Sequence, residues 1–77
     1  MEIKEFIENF ANQFDDTDVS VFSAETRFRE LDEWSSLLAL SVLAMVDEEY
    51  VVQLKADQMR KANTVQELFD IVKSLKD

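Results

Sequence analysis

The sequence predicts an all-α protein: a small four-helix bundle, three longer helices plus one short, with a long structured loop between helices one and two. Three observations predict it. The 77 residues include neither glycine nor proline, which disfavours tight hairpins and excludes the glycine-rich nucleotide-binding motifs. Apolar residues recur at the spacing of one helix face in three separate stretches. Cysteine and histidine are both absent, so no disulfide or Cys/His metal site can substitute for packing. A chain this short buries only roughly 60% of its unfolded surface, and directly packed helices are the usual solution at that size. Residues 1–77 are expected to form a single domain.

Helix one is expected over 2–14, EIKEFIENFANQF, where Ile3, Phe6, Ile7, Phe10 and Phe14 fall on one face. The polar run Asp15 to Asp18 is expected to stop it, with Asp15 or Asp16 turning the chain. Residues 15–34 then form a connection longer than most loops in small domains. Val19, Phe22, Phe28 and Leu31 are expected to anchor it to the core, and AETRF (24–28) to form a single helical turn. Helix two is expected from about Ser35 to Tyr50, because a serine oxygen can accept an orphan backbone N–H at a helix start. At about 100° per residue, Ala39, Val42, Leu43, Val46 and Tyr50 share its core face. Residues 51–62 read as a short linker plus a short third helix. Thr64 and Glu67 have capping-box spacing and open the last helix, whose core side is expected to hold Val65, Leu68, Phe69, Val72 and Leu75. Lys73 and Lys76 suit its C-terminal dipole.

Charge narrows the function. Asp and Glu number 17 against 8 Lys and Arg, a net charge of −9. Nucleic acid and anionic membrane surfaces would repel such a chain, so neither is an expected partner. Basic protein surfaces would attract it. No run reaches the ~18 apolar residues of a membrane span, and Met1 leads into a charged amphipathic segment rather than a secretory signal. The expectation is a cytoplasmic monomer.

The residues offer little independent chemistry. Ser35 and Ser36 stand together at the mouth of helix two, and nucleophilic catalysis would need a base beside one of them. No lysine or carboxylate lies in an obvious pattern with either, so the chain is not expected to be an enzyme. A calcium loop starting at Asp16 would require glycine sixth and glutamate twelfth; Val21 and Arg27 stand there. No metal site is expected. Asp47, Glu48 and Glu49 are consecutive and fan around a helix rather than converging.

Helix two carries a second signal. Opposite its core stripe lie Leu37, Ser41, Ala44 and Glu48, with Leu40 to one side and Leu38 and Met45 to the other. A solvated helix face normally carries charge. Exposed apolar residues rimmed by acids suggest a docking surface. The expected partner-binding set is Leu37, Leu40, Ser41, Ala44, Glu48 and Glu49.

The order of these features resembles the acyl carrier proteins and their peptidyl relatives. Ser36-Leu37 opens helix two, Asp47-Glu48-Glu49-Tyr50 closes it, AETRFREL (24–31) is similar to the family's loop segment, and Thr64-Val65-Gln66 starts the last helix. The resemblance spans nearly the whole chain. It implies a carrier that is not itself an enzyme, with 4'-phosphopantetheine, donated by coenzyme A, on Ser36 and acyl or aminoacyl groups held on its thiol. A phosphopantetheinyl transferase would activate the hydroxyl, which answers why the serines have no base. Acyl-transferring or acyl-activating enzymes with basic docking surfaces would be the further partners, in fatty acid, polyketide or nonribosomal peptide biosynthesis. An unmodified adaptor that binds partners through helix two is the alternative. The chain departs from the family's pattern at Ser35, where an aspartate is usual, at Leu38 and Ser41, which are often acidic in fatty-acid carriers, and at Trp34, where a small residue is common. These departures imply a specialised carrier served by its own enzymes.

Overall fold

The first helix, α1, spans Ile3–Ala11 in the computed structural model, which describes residues 2–76. It buries Phe6, Phe10 and Ala11. It ends three residues earlier than the apolar spacing predicts. The amides of Gln13 and Phe14 turn to the carbonyls of Phe10 and Ala11, three residues back, and the Gln13 side chain donates to the Asn9 carbonyl at 3.1 Å. This tightened turn satisfies orphan carbonyls without a glycine. Phe14 is still buried.

The long connection is ordered by side chains at both its ends. Glu33 accepts from the amides of Asp15 at 2.9 Å and Asp16 at 3.1 Å, and from the Thr17 hydroxyl at 2.6 Å. The acid that turns the chain is Asp18 rather than Asp15 or Asp16: its carboxylate accepts from Ser20 N at 2.9 Å and caps a 3-10 turn at Val19–Val21. Phe22 and Phe28 are buried and Leu31 is half-buried, as anchors should be. Val19 is not an anchor. It is 66% exposed, because it opens the capped turn and Phe22, just after it, is the residue that reaches the core. AETRF does not form a helical turn either. Ser23 to Thr26 make a reverse turn tied by the Thr26 hydroxyl to Ser23 N and the Val21 carbonyl, and a 3-10 turn follows at Phe28–Glu30.

Thr17's hydroxyl first, and the backbone amides after it, hold the Glu33 carboxyl below its usual value of 4.5. A depressed folded-state value means stabilisation that is complete at neutral pH and is lost as the pH falls through that value. Glu33→Gln is therefore expected to melt below wild type at pH 7, with the gap closing as both are acidified below the usual carboxyl value of 4.5. Thermal melts of the two proteins across that range check it; a gap that stays constant would remove Glu33 from the account.

Helix two of the bundle, α2, spans Ser36–Tyr50 and buries Val42, Met45, Val46 and Tyr50. Its ending is strained. Val51 takes a left-handed conformation, φ 56° and ψ 44°, a position usually given to glycine and unfavourable for a β-branched residue. Val51 is 83% exposed, so its side chain recovers little by burial. Val51→Gly is expected to stabilise the protein by roughly 0.5–1 kcal/mol, raising Tm by about 2–8 °C. A lower Tm would show that the valine is held by contacts outweighing its backbone cost.

Residues 52–55 form neither helix nor strand, with Val52 and Leu54 buried and their neighbours exposed. One helical turn, α3, follows at Ala56–Met59, burying Met59, with Ala62 also in the core. The last helix, α4, spans Val65–Lys76 and buries Val65, Leu68, Phe69 and Val72. Leu75 departs from the expected core stripe; it sits in the final turn, past the core, and is 42% exposed. The α4 start is fully supplied with acceptors. Val65 N and Gln66 N donate to the loop carbonyls of Thr26 and Ala24. Glu67 N donates to Thr64 Oγ1 at 3.1 Å, and Glu67 Oε1 accepts from Asn63 N and Thr64 N. The capping box is thus formed, and it draws the long loop onto the bundle.

The chain is a small all-helical bundle of three longer helices and one short. At its centre Phe10 has five aromatic neighbours: Phe6, Phe14, Phe22, Phe28 and Trp34, with ring centroids 5.4–6.5 Å apart.

Candidate functional site at the mouth of the second helix

Trp34 links the core to the two serines. Its ring lies 5.0 Å from that of Phe28, edge to face, and stacks towards Phe10 and Phe14. Such rings contribute more than their area alone, so the residue before Ser35 is pinned and the start of α2 is fixed in place. Ser35 has extended backbone, φ −155° and ψ 172°, and its Oγ accepts from Leu38 N at 3.3 Å. It is the N-cap. Ser36 is the first residue of the helix and is exposed. Ser35 is exposed as well, so the two hydroxyls differ in engagement alone: the Ser35 oxygen is taken by the backbone, and the Ser36 oxygen has no hydrogen-bond partner among the described residues.

The face beyond Ser36 is apolar. Leu37 is 75% and Leu40 62% exposed. Ala44, Glu48 and Glu49 are exposed and Ser41 is half-buried. These six share one surface with Ser36. Two neighbours assigned to it by the helical wheel leave it. Met45 is buried, and Leu38 is half-buried against the core. The wheel assumes that one flank of the helix is covered; here neighbouring segments press on both flanks, and the core stripe widens to include Met45. Ala39 and Leu43 are correspondingly only half-buried, on the flank that opens to a groove.

That groove runs beside Ser36 between α2 and the α3 turn, with a volume of about 520 Å³. Trp34, Leu40, Leu43 and Met59 line it, with Arg29 and Arg60 at its edges. No protein-family model matches the chain, and no curated protein or solved structure matches it either. The groove and its arginines were not legible in the sequence. They come from three segments far apart along the chain, and no periodicity connects residues 29, 36, 43 and 59.

Charge is unevenly distributed around this mouth. The first turn of α2 holds no acid, while Asp47, Glu48 and Glu49 crowd its other end. Among the described residues no group of His, Cys, Asp or Glu is placed to hold a metal ion, and no helix is long and apolar enough to cross a membrane.

Proposed function

We propose that the protein is an acyl-carrier-like protein whose Ser36 receives 4'-phosphopantetheine, and that it presents acyl or aminoacyl cargo to partner enzymes without being an enzyme itself. The observation that carries this reading is at the helix mouth: both serines are exposed beside an apolar groove, but Ser35 uses its oxygen to cap the helix while Ser36, one step inside, keeps its hydroxyl free. The arrangement fits the group. An exposed hydroxyl on a pinned helix start is reachable by a transferase, and no side chain near it is needed as a base. The Ser36 Oγ would attack the β-phosphorus of coenzyme A, forming a phosphodiester, releasing adenosine 3',5'-bisphosphate and giving its proton to a base on the transferase. When attached, the arm supplies the thiol that a cysteine-free chain lacks, and cargo is held on it as a thioester.

The exposed face supports transient docking. Leu37 and Leu40 offer an apolar centre, and Glu48 and Glu49 an acidic border for basic partners. Charge-assisted association speeds encounter without demanding high affinity, which suits a carrier that must leave each partner. The same exposed leucines would serve an unmodified adaptor. Intact mass after incubation with coenzyme A and a promiscuous phosphopantetheinyl transferase separates the two readings: a gain of one arm supports the carrier, and no gain with several transferases supports the adaptor.

A further inference from the structure

The groove beside Ser36 inverts the charge of the molecule around it. The polar groove between α1 and α2 contains Glu48 and Glu49. The hollow by the first 3-10 turn contains Asp16, Asp18, Asp32 and Glu33. The small hollow at Arg27 and Arg29 is basic too, but it includes Glu30. The Ser36 groove contains Arg29 and Arg60 and no acid, in a chain of net charge −9. Its floor is apolar. A cleft with an apolar floor and two guanidinium groups at its edge is complementary to a small molecule with an anionic group and an uncharged body.

We infer that Arg29 and Arg60 hold the phosphodiester of the arm carried on Ser36 and lay that arm along the groove, so that the modified protein keeps its thiol against its own surface between partners. This rests on Ser36 being the attachment point. Proximity selects the occupant. Ser36 itself lines the groove, so a phosphate bonded to its oxygen stands at the groove's edge whatever the remainder of the arm does. An anionic group at the far end of a cargo would arrive there only by the arm folding back. Guanidinium groups suit the site because their planar fork matches phosphate oxygens. Arg29 donates one N–H to Asn63 Oδ1, which lines the neighbouring hollow rather than this groove, and its other N–H donors remain for a ligand. The only ion pair among the described residues joins Arg27 to Glu30; the charge of Arg29 also acts on the Glu67 carboxyl, after the Asn63 and Thr64 amides, but forms no ion pair with it, so Arg60 is the less engaged of the two. The volume of about 520 Å³ lies in the range of small-molecule sites, roughly 300–1,000 Å³. Leu40, Leu43 and Met59 would meet the arm's methyl groups. Tethering raises the effective concentration to the millimolar range, so contacts that are individually weak suffice.

The absence of cysteine makes the arm's thiol the only one in the modified protein, and its reactivity reports where the arm lies. Wild type and the Arg29→Gln/Arg60→Gln double variant are each modified with coenzyme A and transferase, and the added mass is confirmed. Alkylation by iodoacetamide is then timed in low salt and in roughly 1 M salt. The wild-type thiol is expected to react about three- to tenfold more slowly than that of the double variant at low salt, with the difference fading at high salt as the charges are screened. Equal rates at low salt, or slow alkylation that survives both substitutions, would overturn the inference while leaving Ser36 as the attachment point. A failure to gain mass would instead remove the carrier reading and this inference with it. Both arginines are exposed, so the unmodified variants should melt as wild type does; if the double variant does not fold, Arg60→Gln alone carries the test.

Discussion

Ser36→Ala is expected to abolish the mass gain on incubation with coenzyme A and a phosphopantetheinyl transferase, and Ser35→Ala to leave it intact. The two substitutions remove the same atom from adjacent residues, so composition and net charge are matched. What differs is the job of each oxygen. The Ser35 oxygen accepts from Leu38 N at 3.3 Å, and losing a cap of this kind costs about 0.5–2 kcal/mol, or a Tm lower by about 2–16 °C. Ser36 makes no such contribution and is exposed, so its alanine variant should melt close to wild type. The pair therefore separates stability from modification in opposite directions. Modification that persists in Ser36→Ala, or disappears in a folded Ser35→Ala, would move the attachment point.

Phe10→Ala is expected to be the most damaging single truncation in the chain. Phe10 is fully buried and touches five other aromatic rings. Removing a buried phenylalanine costs about 3–5 kcal/mol, while a domain of this length is stable by about 4–12 kcal/mol. The loss is a large share of the total, and Tm should fall by about 12–40 °C or the protein should fail to fold. Leu37→Ala is the control: with 75% of Leu37 exposed, it should stay within about 0.5 kcal/mol of wild type. Denaturant melts of the three proteins decide the matter. A mild effect of Phe10→Ala would mean that the aromatic cluster repacks and that Trp34 is not held by it.

Most of the fold was legible because α1 and α4 are amphipathic in an ordinary way. The aromatic spacing of α1, the capping box at Thr64 and Glu67, and the anchors Phe22 and Phe28 all follow from local rules that tertiary packing did not override. The misreadings share a cause. A helical wheel puts Met45 outside and Leu75 inside because it gives angles but not the extent of what packs against them. Val19 faces solvent despite its hydrophobicity because the Asp18 cap turns it outward. Asp18 caps the turn after α1, but the residues before it are held by Glu33, 18 residues from Asp15, a partner that no local pattern reveals. The candidate site divides in the same way. Ser36 and its exposed leucines lie in one continuous stretch and were readable. Arg29, Met59 and Arg60 join them only through the fold.

The carbonyls of Ala24 and Thr26 complete the first two amides of α4, and this has a consequence for how the molecule comes apart. Neither partner can detach alone: loosening the C-terminal helix strips acceptors from its own backbone and unmoors the segment that leads to Trp34 and the serine mouth. Denaturation should be cooperative across the whole molecule, and a fragment lacking the last dozen residues should lose the ordered serine pair along with the missing helix.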